Sequence, residues 1–169
     1  NLDSKKDLQV INIGINGCGR IAKCLIRMID AKEFLNLVSI NHYNTNITKS
    51  DILKYIKYDS IHGKHILIND NINIHHYKNP GNIPWEKEID IIIDTTGKFK
   101  TKESLEQHIR YSHQKVLLSC PSPDVFMYVY GVNHYLLALE KPQLFSGASC
   151  TTNASSPVLK ILDDNWGID

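Results

Sequence analysis

Gln9-Val-Ile-Asn-Ile-Gly-Ile15, continuing through Asn16-Gly-Cys-Gly-Arg-Ile-Ala22, is the stretch on which the fold turns. Its first seven residues form a short, mostly apolar run, which predicts a strand, and glycines follow at 17 and 19. From Ile21 the apolar positions recur at helical spacing, through Cys24, Leu25, Met28 and Ile29. Leu37-Val-Ser-Ile40 is a second short strand that runs into the polar stretch Asn41 to Asn46. Strand, glycine turn, helix and strand make a βαβ unit, and a crossover of that kind requires parallel strands.

The pattern continues outward from this unit. Ile47 to Tyr58 reads as a helix with Ile52, Leu53 and Ile56 available for burial. Within His65 to Tyr77, Ile66 and Ile68 are separated from Ile72 and Ile74 by Asn69-Asp70-Asn71, which predicts a β-hairpin. Ile89 to Asp94 is a buried strand. Thr101 caps a helix reaching Tyr111, with Glu103 and Glu106 near its positive end. Strands are predicted at Lys115–Ser119, Met127–Tyr130 and Gln143–Phe145, and a last helix at about Thr151 to Asn165. The whole is a doubly wound α/β fold of Rossmann type, a mostly parallel sheet with helices on both faces.

Gly17-Cys-Gly-Arg-Ile-Ala22 has the form G-x-G-x-x-A between a strand and a helix. In such a loop the first small residue permits the tight turn, the second lets backbone approach a pyrophosphate, and the third lets helix pack on sheet. The helix start then presents unpaired N–H groups and partial positive charge to phosphates. Gly17, Gly19, Arg20 and Ile21 are therefore candidate cofactor residues. The acidic residue expected to hold the ribose at the end of the second strand is replaced by Asn41-His42. A carboxylate there repels the extra phosphate of NADP, so its absence weakens the electrostatic reason for excluding NADP, and a protonated His42 can pair with that phosphate; NAD is the expected cofactor, with NADP left open.

Composition narrows the function. The chain has 169 residues, 42% apolar and 22% charged, with a formal net charge of +1. That is one domain's worth of sequence, able to bury about two-thirds of its unfolded surface. A charge near zero argues against bulk electrostatic nucleic-acid binding, and the tyrosines are not interleaved with basic residues. No run approaches the ~20 apolar residues of a membrane helix. Cys18, Cys24, Cys120 and Cys150 have neither metal spacing nor disulfide-scaffold density. A reducing, cytoplasmic compartment is the expectation, with no metal, nucleic-acid or membrane partner. His75-His76 would point to opposite faces of a strand and reads as a surface pair; His62 and His134 read as structural. Lys98, Lys100 and Lys102 read as a solvated basic face.

Ala148-Ser149-Cys150-Thr151-Thr152-Asn153 places a thiol at the start of the final helix, where the backbone dipole and free N–H groups support a nucleophilic sulfur. Ser149 and the threonines can cap that helix. Nucleophilic catalysis also needs a base, usually His, within hydrogen-bond reach, and none follows Cys150 in these residues.

Ile15-Asn-Gly-Cys-Gly-Arg-Ile21 resembles the cofactor loop of the glyceraldehyde-3-phosphate dehydrogenase family. Tyr58-Asp-Ser-Ile-His-Gly63, Thr95-Thr-Gly-Lys-Phe99, Tyr130-Gly-Val-Asn-His134 and Ala148-Ser-Cys-Thr-Thr-Asn153 resemble its later landmarks, in order. The resemblance runs from about residue 9 to the end. It implies that Cys150 adds to an aldehyde, that hydride passes to the nicotinamide, and that phosphate attack on the thioester releases an acyl phosphate. The similar erythrose-4-phosphate dehydrogenases would use water instead and release an acid. A truncated, non-catalytic nucleotide-binding relative is the remaining alternative.

By the same resemblance Ser149 and Thr151 match positions that contact substrate or a neighbouring anion. Arg20 and Ile21 match positions at the pyrophosphate, and Lys78 one near the adenine end. Thr96, Gly97 and Ser119 match cofactor contacts, and His42 falls at the acidic ribose ligand, with Asn41 beside it. Departures are Cys18 for a usual Phe, Gly147 for a common Asn, and Ala154 and Ser155 for a Cys and an apolar residue. The family's catalytic His and substrate-phosphate arginine lie in a second half. Residues 1–149 are thus expected to be the NAD(P)-binding domain and 150–169 the first helix of a catalytic domain. The 169 residues alone are expected to bind dinucleotide with little turnover, and the complete enzyme to be a homo-oligomer acting on a phosphorylated aldehyde and inorganic phosphate.

Overall fold

The computed structural model describes residues 9–46, 48–57 and 71–168. Along the chain the elements are β1 (Ile11–Asn16), α1 (Arg20–Asp30), β2 (Leu35–Asn41), α2 (Lys49–Lys57), β3 (Asn73–His75), β4 (Ile91–Asp94), α3 (Lys102–Glu106), β5 (Lys115–Leu118), α4 (Tyr135–Glu140), β6 (Leu144–Ser146) and α5 (Cys150–Trp166). The six strands form one sheet in the order β3-β2-β1-β4-β5-β6, and every neighbouring pair is parallel. This is the doubly wound order, with the direction of winding reversing between β1 and β4.

The period-2 alternation of the strands divides the core into two faces. Ile13, Ile15, Ile40 and Ile93 point to one face, where Ala22, Ile26 and Ile29 of α1 and Ile52 of α2 cover them. Gly14 and Ile92, paired in register, point to the other. There Ile83, Trp85 and Ile89 close over Ile92, and Leu105 of α3 packs on Val116 and Leu118. Glycine alone fits at position 14: a Cβ added there would stand 2.9 Å from Trp85 Cζ3 and 3.0 Å from Ile89 Cδ1.

Several expectations shift in detail. The second arm of the predicted hairpin is β3, which joins β2 in parallel; its first arm, with Ile66 and Ile68, and the Tyr58–Gly63 motif with His62 lie outside the described residues. The helix predicted to Tyr111 ends at Glu106. His108 is drawn instead into the core, 3.2 Å from Asp94, and the Arg110 guanidinium donates to the carbonyls of Pro80, Ile83 and Gln107. Met127–Tyr130 is not a strand but a single parallel bridge from Met127 to Ser146. Beyond it the chain folds back, as the Asn133 side chain accepts from Val129 N at 2.7 Å and donates to Met127 O at 3.0 Å. Gly131 turns at φ +80, and α4 follows, an element absent from the sequence-based expectation. No helix among the described residues is long and apolar enough to cross a membrane.

Gly14→Ala should therefore strain the packing under β1. We expect a loss of about 1–3 kcal/mol of stability, read as a lowered urea midpoint with an unchanged slope.

Candidate functional site

The last residues of the three central strands, Asn41, Asn16 and Asp94, stand in register at the carboxyl edge of the sheet. All three are buried. Asn41 Nδ2 donates to Asn16 Oδ1 at 2.7 Å, and Asn16 Nδ2 donates to Asp94 Oδ2 at 2.7 Å. Asp94 also accepts from His108 Nε2 at 3.2 Å, and from the backbone N–H and hydroxyl of Thr96 at 2.9 and 2.8 Å. His108 Nδ1 accepts from the Trp85 indole at 3.3 Å, so the ring hydrogen is on Nε2 and is the one given to Asp94. At the other end Asn41 donates to Tyr77 O and accepts from Tyr77 N, at 3.0 and 2.9 Å.

A cleft of about 520 Å³ opens above this row. Its floor is Asn16, Gly17, Cys18 and Gly19, and its walls include His42, Tyr43, Tyr77 and Lys78 on one side and Thr95, Thr96, Lys98 and Phe99 on the other. It lies where winding reverses, outside the carboxyl ends of the strands, the place at which open α/β sheets take ligands.

The glycine loop fits a pyrophosphate. Gly17 has φ +106 and a Cβ there would stand 2.5 Å from Thr95 Oγ1, so only glycine suits the turn. A Cβ on Gly19 would meet nothing within 4 Å, which leaves open space above it. Gly19 is the N-cap of α1 and no side chain caps that helix. Its first-turn N–H groups are thus free of capping competition and aimed as a phosphate site requires. Gly17, Gly19, His42, Lys78 and Thr96 come together in the cleft. Arg20 and Ile21 open α1 beside Gly19, both exposed, and Gly97 turns beside Thr96 at φ +66. Asn41 is buried beneath the cleft, with its amide committed to Asn16 and Tyr77. Ser119 follows β5, its N–H donating to Asp94 O, and is not among the lining residues.

Asn16, Asp94 and His108 escape sequence reading, because a polar residue at a strand end looks like the start of a loop. Tyr43 and Lys98 escape it too. His75 and His76 are both half-buried, not a surface pair: His75 Nε2 lies 2.9 Å from Glu86 Oε1, and His76 Nδ1 lies 3.2 and 3.1 Å from the carbonyls of His42 and Asn44.

Cys150 is the first residue of α5 and is exposed. Ser149 is the N-cap, accepting from Thr152 N at 2.9 Å, and its hydroxyl lies 2.8 Å from that of Thr151 and 2.7 Å from that of Thr152. Ala148 just before holds φ +61, a strained value for a non-glycine residue. Asn153 Nδ2 donates back to Gly147 O and Ser149 O at 2.7 and 2.9 Å, fixing the approach to the helix. Cys18, at the cleft floor, is half-buried. Burial pushes its thiol pKa up, only partly offset by Lys23.

Two tests follow. Asp94→Asn would set an amide N–H₂ or a lone carbonyl against donors from Asn16, His108 and Thr96; we expect a loss of about 2–4 kcal/mol in urea unfolding, with weakened dinucleotide titration. One equivalent of iodoacetamide at neutral pH should label Cys150 well before Cys18, read by peptide mass spectrometry.

Comparison with known proteins agrees with this geometry. Residues 11–102 match the family model described as glyceraldehyde 3-phosphate dehydrogenase, NAD binding domain. The chain is 37% identical over 171 residues to a glyceraldehyde-3-phosphate dehydrogenase of Ogataea parapolymorpha, covering 94% of this chain and 50% of that protein. It is 40% identical to glyceraldehyde-3-phosphate dehydrogenase 2 of Staphylococcus aureus, covering 93% and 49%, and 36% identical to glyceraldehyde-3-phosphate dehydrogenase 1 of Saccharomyces cerevisiae, covering 95% and 51%. The chain thus spans about half the length of the curated relatives it matches. With an NAD-binding domain of Rossmann type and these relatives, the chain belongs to the glyceraldehyde-3-phosphate dehydrogenase family.

Proposed function

We propose that the protein is a phosphorylating glyceraldehyde-3-phosphate dehydrogenase, with Cys150 as nucleophile and the cleft as the cofactor site. The observation that carries this reading is an exposed cysteine at the first position of α5, entered from the last strand of the dinucleotide-type sheet. Residues 1–149 are the cofactor domain in this reading, and 150–169 open the catalytic one. Support comes from α5, which buries none of its residues while Val158, Leu159, Ile161, Leu162 and Trp166 are exposed.

The chain's own residues have distinct tasks. The α1 N-terminus with Gly17, Gly19, Arg20 and Ile21 would hold the pyrophosphate, Lys78 would lie near the adenine end, and Thr96, Gly97 and Ser119 would make further cofactor contacts. The Cys150 sulfur adds to the aldehyde carbon to give a hemithioacetal. Bound NAD would supply a hydride acceptor; departure of hydride from that carbon, with the hemithioacetal hydroxyl proton passing to water, would leave a thioester on Cys150. Inorganic phosphate attacks the thioester carbonyl, the C–S bond breaks, and an acyl phosphate leaves with the thiolate restored. Ser149 and the exposed Thr151 offer hydroxyls beside the sulfur for substrate or phosphate oxygens. Phosphorylated aldehyde, inorganic phosphate and further copies of the chain are the partners in this scheme. At His42 no carboxylate repels a 2′-phosphate, so the choice between NAD and NADP passes to its neighbours.

The native protein carrying Cys150→Ser should lose turnover of glyceraldehyde 3-phosphate by roughly a thousandfold or more, with NAD affinity unchanged. Retained turnover in that variant would sink the assignment of the nucleophile. Phosphate-independent oxidation of erythrose 4-phosphate in preference to the triose would replace the substrate.

A further inference from the structure

Lys98, read from sequence as part of a solvated basic face, stands in the wall of the cleft. Its Nζ lies 5.1 Å from the centre of the Tyr43 ring. The His42 imidazole stacks on the same ring, with centroids 5.1 Å apart and planes 19° from parallel. Tyr43 thus gathers an ammonium and an imidazole at the end of β2. That is where a dinucleotide fold reads the adenosine ribose, with an acid for a free 2′-hydroxyl or a cation for a 2′-phosphate.

The imidazole is held in a defined orientation. His42 Nδ1 accepts from the Asn44 N–H at 3.2 Å, which leaves the ring hydrogen on Nε2 as a free donor. The His42 backbone N–H is bonded to His75 O at 2.9 Å, and His76 Nδ1 braces the carbonyls of His42 and Asn44. Burial lowers the His42 pKa, and His76 pushes it down further. The fixed positive charge is therefore that of Lys98, with Lys78 also lining the cleft. No carboxylate lines it among the described residues. Asp94, the acid below, is buried and already accepts four hydrogen bonds.

We propose, on the dinucleotide reading of the cleft, that Lys98 and His42, gathered on the Tyr43 ring, are specificity-determining residues that receive the 2′-phosphate of NADP, so that the site takes NADP at least as tightly as NAD. Lys98 contributes the charge and His42 a directed N–H. Tyr43 sets the spacing between them and offers an aromatic face beside the adenosine.

Calorimetric titration of the protein with NAD, NADP, 5′-ADP and 2′,5′-ADP at low ionic strength tests this. NADP should bind at least as tightly as NAD, and 2′,5′-ADP more tightly than 5′-ADP. Lys98→Met, an exposed change that leaves the core untouched, should weaken NADP by about tenfold more than it weakens NAD, and 2′,5′-ADP by about tenfold more than 5′-ADP, the scale of a lost charge-assisted contact. His42→Asp should weaken NADP by about a hundredfold and leave NAD equal or tighter, with circular dichroism confirming the fold of both variants. NAD binding about tenfold tighter than NADP in the unaltered protein would overturn the proposal while sparing the dinucleotide reading, and so would equal weakening of both dinucleotides by Lys98→Met. Binding of neither dinucleotide would overturn the dinucleotide reading itself, and this assignment with it.

Discussion

The hydrogen-bonded row Asn41–Asn16–Asp94 is the constraint on which the remainder of the structure depends. Parallel strands are joined only through backbone bonds and the side chains packed on their faces, and their ends are free to splay. Here the three central ends are tied by side-chain bonds of 2.7 Å in line with the ladder. Burying Asp94 would be costly if any of its oxygens lacked a donor. Four donors meet it, from three different segments, and each segment gains a fixed position in return. Thr96 is drawn down so that the chain after β4 turns at Gly97. His108 is drawn in, which ends α3 early and seats Trp85 under Gly14. Through Asn41 the row extends to Tyr77, so the chain leaving β3 also meets the cleft at a set height.

The fold is largely legible in the sequence because its signal is local. A short apolar run, two glycines and a helical repeat define the βαβ unit without reference to anything distant. The glycine loop is legible for the same reason: its conformation is dictated by Gly17 itself, whose φ of +106 excludes a side chain. What escapes is decided by long-range bonds. Asn16 and Asp94 are 78 residues apart, and nothing near either announces the other. The helix expected to Tyr111 has adequate helical spacing, yet His108 and Arg110 find better partners in Asp94 and in the carbonyls of Pro80 and Ile83. At Met127–Tyr130 the local apolar character suggests a strand, but Asn133 caps Val129 and turns the chain away after one bridge.

The candidate site divides along the same line. Residues whose role follows from backbone form, Gly17, Gly19 and the capped start of α5, are recognisable from neighbouring residues in the chain. Residues whose role follows from neighbours in space are not. Lys98 belongs with two other lysines in sequence and with Tyr43 and His42 in space. Asn41, expected from its position in the chain to meet the ribose, has both amide hydrogens and its oxygen engaged below the cleft.

The same carboxyl edge governs where Cys150 stands. Asp94 O accepts from Ser119 N, and one residue back Leu118 O accepts from Gly147 N. Gly147 O in turn accepts from Asn153 Nδ2 inside α5. A continuous set of bonds therefore runs from the floor of the cleft, through the end of β5, to the first turn of the helix that carries the thiol. Ala148, held at φ +61 between these anchors, has no freedom to relax. Because Ser146 Oγ also donates to Cys120 O and accepts from Ala148 N, at 2.6 and 3.0 Å, the strand end and the helix start cannot shift independently. The sulfur is thus registered to the sheet that forms the cleft, rather than to the exposed helix that follows it. In the reaction proposed for this site, such registration would fix the distance between a hydride acceptor in the cleft and a carbon bound to the thiol, the positioning that a hydride transfer between them requires.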